Sequence, residues 1–201
     1  MADTDDVASP WSRIVRWLES HAPASAQALN PPATAADIQQ LNDSLGFRIP
    51  QALEVWLRLN NGSTAKDSRT PIPGGFRLVP HPDSGIFPGG EVFLDCQSII
   101  DHHRQFLRIA DDIGDEDYWK SSWIPILAEA DGHYGLLLDA GQADGSGPVS
   151  AYRETDYAKR HASSLGQLLD AVADALEHRQ GGSVLTHGRQ ADVQDGRVVW
   201  G

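Results

Sequence analysis

The 201-residue chain carries 28 acidic and 16 basic side chains, which give a formal net charge of -12 at pH 7. Such a charge disfavours nucleic acid and anionic membranes as partners, because both would be repelled, and it permits a basic protein partner. Hydrophobic residues make up 40% and charged residues 22% of the chain, which predicts a folded core rather than wholesale disorder.

The single cysteine, Cys96, excludes an intramolecular disulfide and a cysteine-based zinc site. Residues 1–10 contain neither the basic region nor the apolar region of a secretory signal, and no apolar run is long enough to span a membrane. We therefore expect a cytoplasmic protein without membrane contact.

The first predicted helix begins at Ser9 and Pro10, a capping serine followed by a proline of the kind tolerated in a first turn. Pro23 is expected to end it, and a linker of small residues follows. The helix prediction depends on an apolar stripe with i, i+3, i+4, i+7 spacing: Trp11, Ile14, Val15 and Leu18.

Two more helices are predicted before residue 62. The second begins at Thr34, which with Asp37 resembles a capping box, and it ends at Gly46. The third begins at Pro50 and ends at Asn61-Gly62. Their apolar stripes place Ile38, Leu41, Leu45, Leu53, Trp56 and Leu57 in the core.

The middle of the chain changes from helices to strands. Residues 63–73 are expected to form a polar loop. Phe76–Pro80 and Glu91–Asp95 are predicted strands around a segment rich in Pro and Gly. Ser98–Ala110 is predicted to be a helix, and Asp111–Asp117 an acidic loop.

The last third is predicted to hold a hairpin, a strand at Pro148–Tyr152 and a closing helix capped by Ser164. We expect one domain over residues 1–180, with an edge at Gly181-Gly182, and a tail over residues 181–201 that forms a hairpin around Asp195-Gly196. Segregated helices and hairpin-linked strands predict an α+β fold.

The stretch WIPILAEADGHYGLLLD, residues 123–139, combines acids and a histidine and could be a metal or acid–base site. Asp131-Gly132 is, however, a typical two-residue hairpin turn. The resulting register pairs Ala128 with Gly135 and places His133 and Asp139 about 20 Å apart, too far for one metal ion. We therefore interpret this stretch as two strands and a turn.

The acidic loop is the best candidate for a binding surface. Its sequence, DDIGDED, lacks the pattern of a calcium loop, so it is either a solvated charge run or a contact surface for a basic partner. Trp119 follows it and is either an exposed anchor or a packed residue at the base of the loop. The predicted contact residues are Asp111, Asp112, Asp115, Glu116, Asp117 and Trp119.

No catalytic, metal or cofactor motif is found in the sequence. The Gly-Gly pairs are not followed by a phosphate-binding pattern, and the G-x-S-x-G elbow is absent. His102 and His103 are adjacent on a predicted helix and point about 100° apart, which does not suit a zinc pair. We expect no enzyme activity and no cofactor.

Several segments, taken in order, resemble the SUKH superfamily, which includes the fungal Smi/Knr-type regulators. The resemblance covers roughly Trp11 to Glu177, but neither Pro80–Gly90 nor the tail. It is carried by LNDSLGFRIPQALEVWLRLNNG, by SSWIPILAEADGHYGLLLD with its W-x-P-I and D-G-x-x-G-x-x-x-D pattern, by GPVSAYRE and by ASSLGQLLDAVADALE.

The resemblance implies an α+β fold with N-terminal helices and a C-terminal helix around a curved, mostly antiparallel sheet. It also implies a non-enzymatic role. Bacterial members resemble immunity proteins that neutralise polymorphic toxins, often nucleases, whereas fungal members regulate cell-wall synthesis and killer-toxin resistance. We expect an immunity protein that binds a basic toxin domain, with a regulatory or scaffolding protein on housekeeping partners and an enzyme with an unrecognised site as the alternatives.

Overall fold

A computed structural model describes residues 6–64, 68–79, 83–129, 132–141, 147–153, 156–178 and 183–201. This part of the chain contains the helices α1 (Ala8–His21), α2 (Pro23–Gln27), α3 (Ala35–Leu45), α4 (Gln51–Leu59), α5 (Cys96–Ile113) and α6 (Leu165–His178). It contains the strands β1 (Ser68–Ile72), β2 (Gly75–Val79), β3 (Val92–Phe93), β4 (Trp123–Ala128), β5 (Tyr134–Asp139), β6 (Val149–Arg153), β7 (Asp156–Ala162), β8 (Ala191–Gln194) and β9 (Arg197–Trp200).

The first helix begins two residues earlier than predicted, and Ser9 is not its cap. The Asp6 carboxylate accepts hydrogen bonds from the Ala8 and Ser9 N–H groups, over 3.0 and 3.3 Å, and so satisfies donors that the first helical turn leaves free. The expected linker after Pro23 begins as the short helix α2, because proline suits the first turn of a helix.

The predicted ends of α3 are confirmed. The Thr34 hydroxyl accepts from the Asp37 N–H over 3.2 Å, and the Asp37 carboxylate accepts from the Thr34 N–H over 2.8 Å, so that the capping box is complete. Gly46 ends the helix in the left-handed conformation at φ 81°. Pro50 then precedes α4, as predicted.

The central sheet is a five-stranded antiparallel meander in the order β3-β4-β5-β6-β7. Helices flank it, and the α+β prediction is confirmed. The sequence patterns missed β7, which lies at an edge and whose sequence DYAKRHA has no apolar alternation. They also missed β1, which pairs with β2 where a loop was expected.

The β4–β5 hairpin follows the predicted register near its turn. Ala128 pairs with Gly135, as a two-residue turn at Asp131-Gly132 requires. Ala130 and Asp131 lie outside the described residues.

Farther from the turn, a β-bulge shifts the register by one residue. Ile126 has no partner on β5. Asp139 consequently pairs with Trp123, whereas the register predicted from the turn continues to a pair of Asp139 with Ile124. The Ile126 carbonyl accepts instead from the Leu94 N–H over 3.1 Å, in the chain that follows β3. The bulged residue thus takes part in a tertiary contact that the hairpin sequence alone does not show.

The sheet carries a hydrophobic core on each face. On β5, Leu136 and Leu138 belong to the main core, which includes residues of α1, α3, α4 and α6, whereas Leu137 faces the second core beside α5. The predicted core tryptophans Trp11 and Trp56 are buried in the main core, where their rings make an edge contact at 5.4 Å between centroids. The second core consists of Phe106, Ala110, Trp119, Leu137 and Tyr152.

The C-terminal hairpin β8–β9 turns at Asp195 and Gly196, whose φ angles of 51° and 75° are those a tight hairpin turn requires. The hairpin contacts α2, where the Ser25 hydroxyl accepts a hydrogen bond from the Val198 N–H over 3.1 Å. Arg197 of the same hairpin pairs with Asp83 over 2.8 Å. The predicted domain edge at Gly181-Gly182 lies outside the described residues.

None of the helices in the described ranges combines the length and apolar character needed to span a bilayer.

Candidate partner-binding surface

The acidic run Asp111–Asp117 is divided between a helix end and a turn. α5 continues to Ile113, three residues beyond its predicted end, so Asp111 and Asp112 are helical rather than part of a loop. Gly114 ends the helix in the left-handed conformation, with φ 67°. Glycine is favoured there because it has no Cβ, and this signal could have located the helix end from sequence.

Two backbone hydrogen bonds close this helix end. The Gly114 N–H donates to the Asp111 carbonyl and the Asp115 N–H to the Ala110 carbonyl, each over 3.1 Å. This pair forms a Schellman motif. Asp111 and Asp112 thus lie at the negative end of the helix dipole, and the last turn contains no basic residue. A carboxylate in such a place costs about 0.3–1 kcal/mol of stability.

The Asp115 carboxylate is engaged in hydrogen bonds within the chain. Its carboxylate accepts from the Asp117 N–H over 3.0 Å and from the Tyr157 hydroxyl over 2.8 Å. The hydrogen bond to this carboxylate raises the pKa of Tyr157. Asp115 therefore ties the turn to edge strand β7. Sequence reasoning missed Tyr157, which is 42 positions away.

Trp119 is buried beneath the turn and is not an exposed anchor. It is 3% exposed and stacks on Phe106, with 4.3 Å between ring centroids. Trp123 and Tyr152 contact it edge-on, at 5.7 and 5.3 Å. This packing corrects the interpretation of Trp119 as an exposed contact residue and agrees with the alternative of a packed residue at the base of the loop.

The chain after the acidic turn is held to α5 by His103. Its side chain is buried, and Nε2 lies 3.0 Å from the Ser121 carbonyl. Burial lowers the pKa of His103, which favours the neutral ring. His102 is half-buried, and its Nδ1 lies 2.9 Å from the Ser98 carbonyl. The two rings therefore have different partners, as their positions on a helix predict.

Four exposed carboxylates remain at this end of the molecule, and we call them the acidic surface: Asp111, Asp112, Glu116 and Asp117. Within the described ranges, only Asp117 has an ion pair, with Lys120 Nζ 4.0 Å from Oδ1. Two exposed hydrophobic side chains lie near the surface, Ile113 and Tyr157, each 56% exposed. Carboxylates beside exposed apolar area suit a protein contact.

A cavity of about 580 Å³ adjoins the acidic surface. Asp111, Glu116 and Asp117 line it, and α5 contributes Leu107 and Ala110 as an apolar wall. Trp119, Lys120 and Ser121 complete the lining with Gly114. Among the described residues, the buried indole N–H groups of Trp119 and Trp56 have no hydrogen-bond partner.

A second acidic group lies on α6, and a single arginine of the chain pairs with all three of its carboxylates. Arg13 of α1 pairs with Asp170 over 2.7 Å and with Glu177 over 2.6 Å, and it also pairs with Asp174. These contacts lower the pKa of Glu177 and raise that of Arg13. Arg13 therefore contacts all three carboxylates and offsets one of their three negative charges.

The α6 group also contains the one cluster with metal-ligand spacing in the described part of the chain, Asp174, Glu177 and His178. All three side chains are exposed, and Arg13 already binds both carboxylates. The acids of residues 123–139 that the structure describes do not join such a cluster. Asp139 accepts from the Ser122 hydroxyl and the Gly141 N–H, as a residue at a strand end does.

Comparison with known proteins gives one informative result. A search of curated proteins finds no significant match. The family model described as SMI1 / KNR4 family (SUKH-1) matches residues 32–171, which include α3 to α5, the central sheet and the first half of α6. The matched region also contains the whole acidic surface. The chain belongs to the SMI1 / KNR4 family (SUKH-1).

Proposed function

We propose that this chain is a cytoplasmic immunity-type protein that binds and neutralises a basic toxin domain through the acidic surface. The observation that carries the proposal is the set of exposed carboxylates at the end of α5, three of which have no ion pair within the described ranges. Two of them, Asp111 and Asp112, cost folding stability at a helix C-terminus, which a binding role would explain. Family membership is compatible with this role.

The physics of such a complex favours a nuclease-type partner. A protein that binds nucleic acid has a basic cleft, and carboxylates placed over it would compete with the phosphates. The net charge of -12 would also steer the two proteins together and speed their association. The exposed side chains of Ile113 and Tyr157 would add apolar area to the contact.

An enzymatic role has less support. The family is generally non-enzymatic. Burial raises the pKa of the Cys96 thiol to about 12, so the thiolate needed for nucleophilic attack is scarce at neutral pH. The buried ring of His103 is engaged with a backbone carbonyl. Neither residue is placed as an activated nucleophile or base.

The test is capture of partners from native cells with tagged protein at low salt, followed by mass spectrometry. The test variant combines Asp111→Asn, Glu116→Gln and Asp117→Asn, and it keeps Asp115 because that residue holds the turn. The matched control neutralises three exposed acids elsewhere, Glu19, Asp43 and Asp192. Both variants have a net charge of -9, against -12 for the natural chain.

We expect one stoichiometric partner with a basic domain, captured by the natural chain and the control and lost with the test variant. Capture should also fail at about 1 M salt, where the screening length falls to about 3 Å. Equal capture by both variants would contradict the proposed surface. Several housekeeping proteins in place of one basic partner would favour the regulatory alternative that the family also includes.

A further inference from the structure

We infer that the cavity beside the acidic surface receives an arginine side chain of the partner protein. This inference rests on the proposed function and specifies the contact that it requires. Its starting point is the cavity of about 580 Å³ lined by Asp111, Glu116 and Asp117, with Lys120 as the one cation among its lining residues. The local charge is therefore negative, and the complementary occupant is a cation.

The walls of the cavity select the kind of cation. Leu107 and Ala110 offer apolar contact to the methylene stem of a long basic side chain. The carboxylates lie around it and can accept the paired N–H groups of a guanidinium, whose planar fork matches carboxylate geometry better than an ammonium does. A compact hydrated metal ion would make no use of the apolar wall.

Trp119 lies in the wall of the cavity, so its indole N–H can report on an occupant. Its side chain is 3% exposed and lines the cavity, and its indole N–H has no hydrogen-bond partner in the described structure. A buried donor without an acceptor is costly. Because this N–H is buried and a guanidinium carries only donors, the occupant would not accept from it but would change its signal through the wall of the cavity.

The molecule contains its own example of this recognition. Arg13 of α1 binds three carboxylates of α6 with a side chain that is 23% exposed. At the acidic surface, three carboxylates are again close to one cavity, but the internal cation is only Lys120, 4.0 Å from Asp117. The partner's arginine would take the place that Arg13 fills on α6.

The experiment titrates the isotopically labelled full chain with N-acetyl-arginine N-methylamide and follows the indole N–H signal of Trp119 by NMR. Trp119→Phe identifies that signal. The matched probes are the citrulline analogue, which has the same shape without the charge, and the lysine analogue. The protein controls are the triple variants at Asp111, Glu116 and Asp117, and at Glu19, Asp43 and Asp192.

We expect a saturable shift of the Trp119 signal with the arginine probe at millimolar concentration, at least fivefold weaker binding of the lysine probe, and no saturable shift with citrulline. The shift should persist in the control variant and vanish in the test variant. An equal response to citrulline, a response unchanged in the test variant, or lysine binding as tight as arginine would overturn the inference. The titration contains no partner protein, so its outcome is independent of the capture experiment. A positive titration with a failed capture would reject the toxin assignment alone. A successful capture with a negative titration would reject the arginine occupant alone.

Discussion

The acidic surface and the α6 group each place carboxylates near the C-terminal end of a helix, where the helix dipole disfavours negative charge. On α6, Asp174 and Glu177 are paired with Arg13, and His178 adds a basic residue to the last turn. On α5, Asp111 and Asp112 have no ion pair within the described ranges, and no basic residue shares their turn. The same unfavourable placement is thus corrected by the chain in one region and left uncorrected in the other.

This difference distinguishes carboxylates that stabilise the fold from carboxylates that are available to a partner. An acidic cluster whose carboxylates are paired with an internal cation contributes to folding, which is the case on α6. An acidic cluster that stays exposed beside a cavity costs folding energy and gains from an external cation. Net charge alone, at -12 for the whole chain, does not distinguish the two.

The largest effect is expected beneath the acidic surface, where Trp119 supports the turn. Trp119→Ala should lower the free energy of unfolding by about 3–5 kcal/mol, because it removes a buried ring that stacks on Phe106. Chemical denaturation measures this loss. Trp119→Phe is the control and should cost much less, since the ring is kept and the indole N–H has no protein partner to lose. A small effect of the alanine variant would mean that the acidic surface does not depend on the second core.

A smaller loss is expected when the internal cation of α6 is removed. Arg13→Ala should destabilise the protein by about 1–2 kcal/mol, because several ion pairs form one network although each exposed pair contributes less than about 1 kcal/mol. Thermal unfolding should show a decrease of about 2–4 °C per kcal/mol for a chain of this size. Arg16→Ala, on the exposed side of the same helix, should leave the midpoint nearly unchanged. Equal effects of the two variants would remove the distinction between the two acidic groups.

The sequence could predict the parts of this comparison that depend on local signals. Apolar stripes and turn residues located the helices other than the short α2, and the capping box at Thr34 and the stop at Gly46 are confirmed in detail. Strand β7 was missed because its charged sequence has no apolar alternation, so its place at the sheet edge is decided by pairing with β6.

The candidate site was only partly predictable, for the same physical reason. Composition located the acidic run, but it could not show that Asp115 holds Tyr157 whereas Glu116 is exposed, because that depends on a strand 42 positions away. Burial of Trp119 likewise depends on Phe106 and Tyr152, which come from α5 and β6. Contacts between distant segments divide the run into structural and available charges.

Neutralising the acids of α5 should have the opposite sign from neutralising those of α6. Asp111→Asn with Asp112→Asn should raise the free energy of unfolding by about 0.3–1 kcal/mol per residue, because it removes negative charge from the helix C-terminus. Asp174→Asn with Glu177→Gln should lower it, since Arg13 loses two partners. Thermal unfolding of both pairs at low salt tests the contrast. Destabilisation by the α5 pair would show that these carboxylates have a structural role.

The smallest effect concerns pH and tests whether Arg13 acts through its charge. Its hydrogen bonds lower the pKa of Glu177 in the folded state below the ordinary value of 4.5. A carboxylate with a lowered pKa contributes stability above its unfolded pKa and loses it as the pH falls through its folded pKa. The difference in unfolding free energy between the natural chain and Arg13→Ala should therefore be complete above about pH 4.5 and should shrink as the solution is acidified further.

Unfolding measured from neutral pH down to about pH 3 follows this difference, with Arg16→Ala as the variant whose difference should stay flat. Convergence of the natural chain with Arg13→Ala at acid pH would mean that the guanidinium stabilises α6 by pairing with its carboxylates. A difference that persists unchanged would mean that Arg13 contributes through packing of its methylene stem instead. In that case the α6 group would no longer be a precedent for an arginine bound at the acidic surface, because charge pairing is the feature that the two regions are proposed to share.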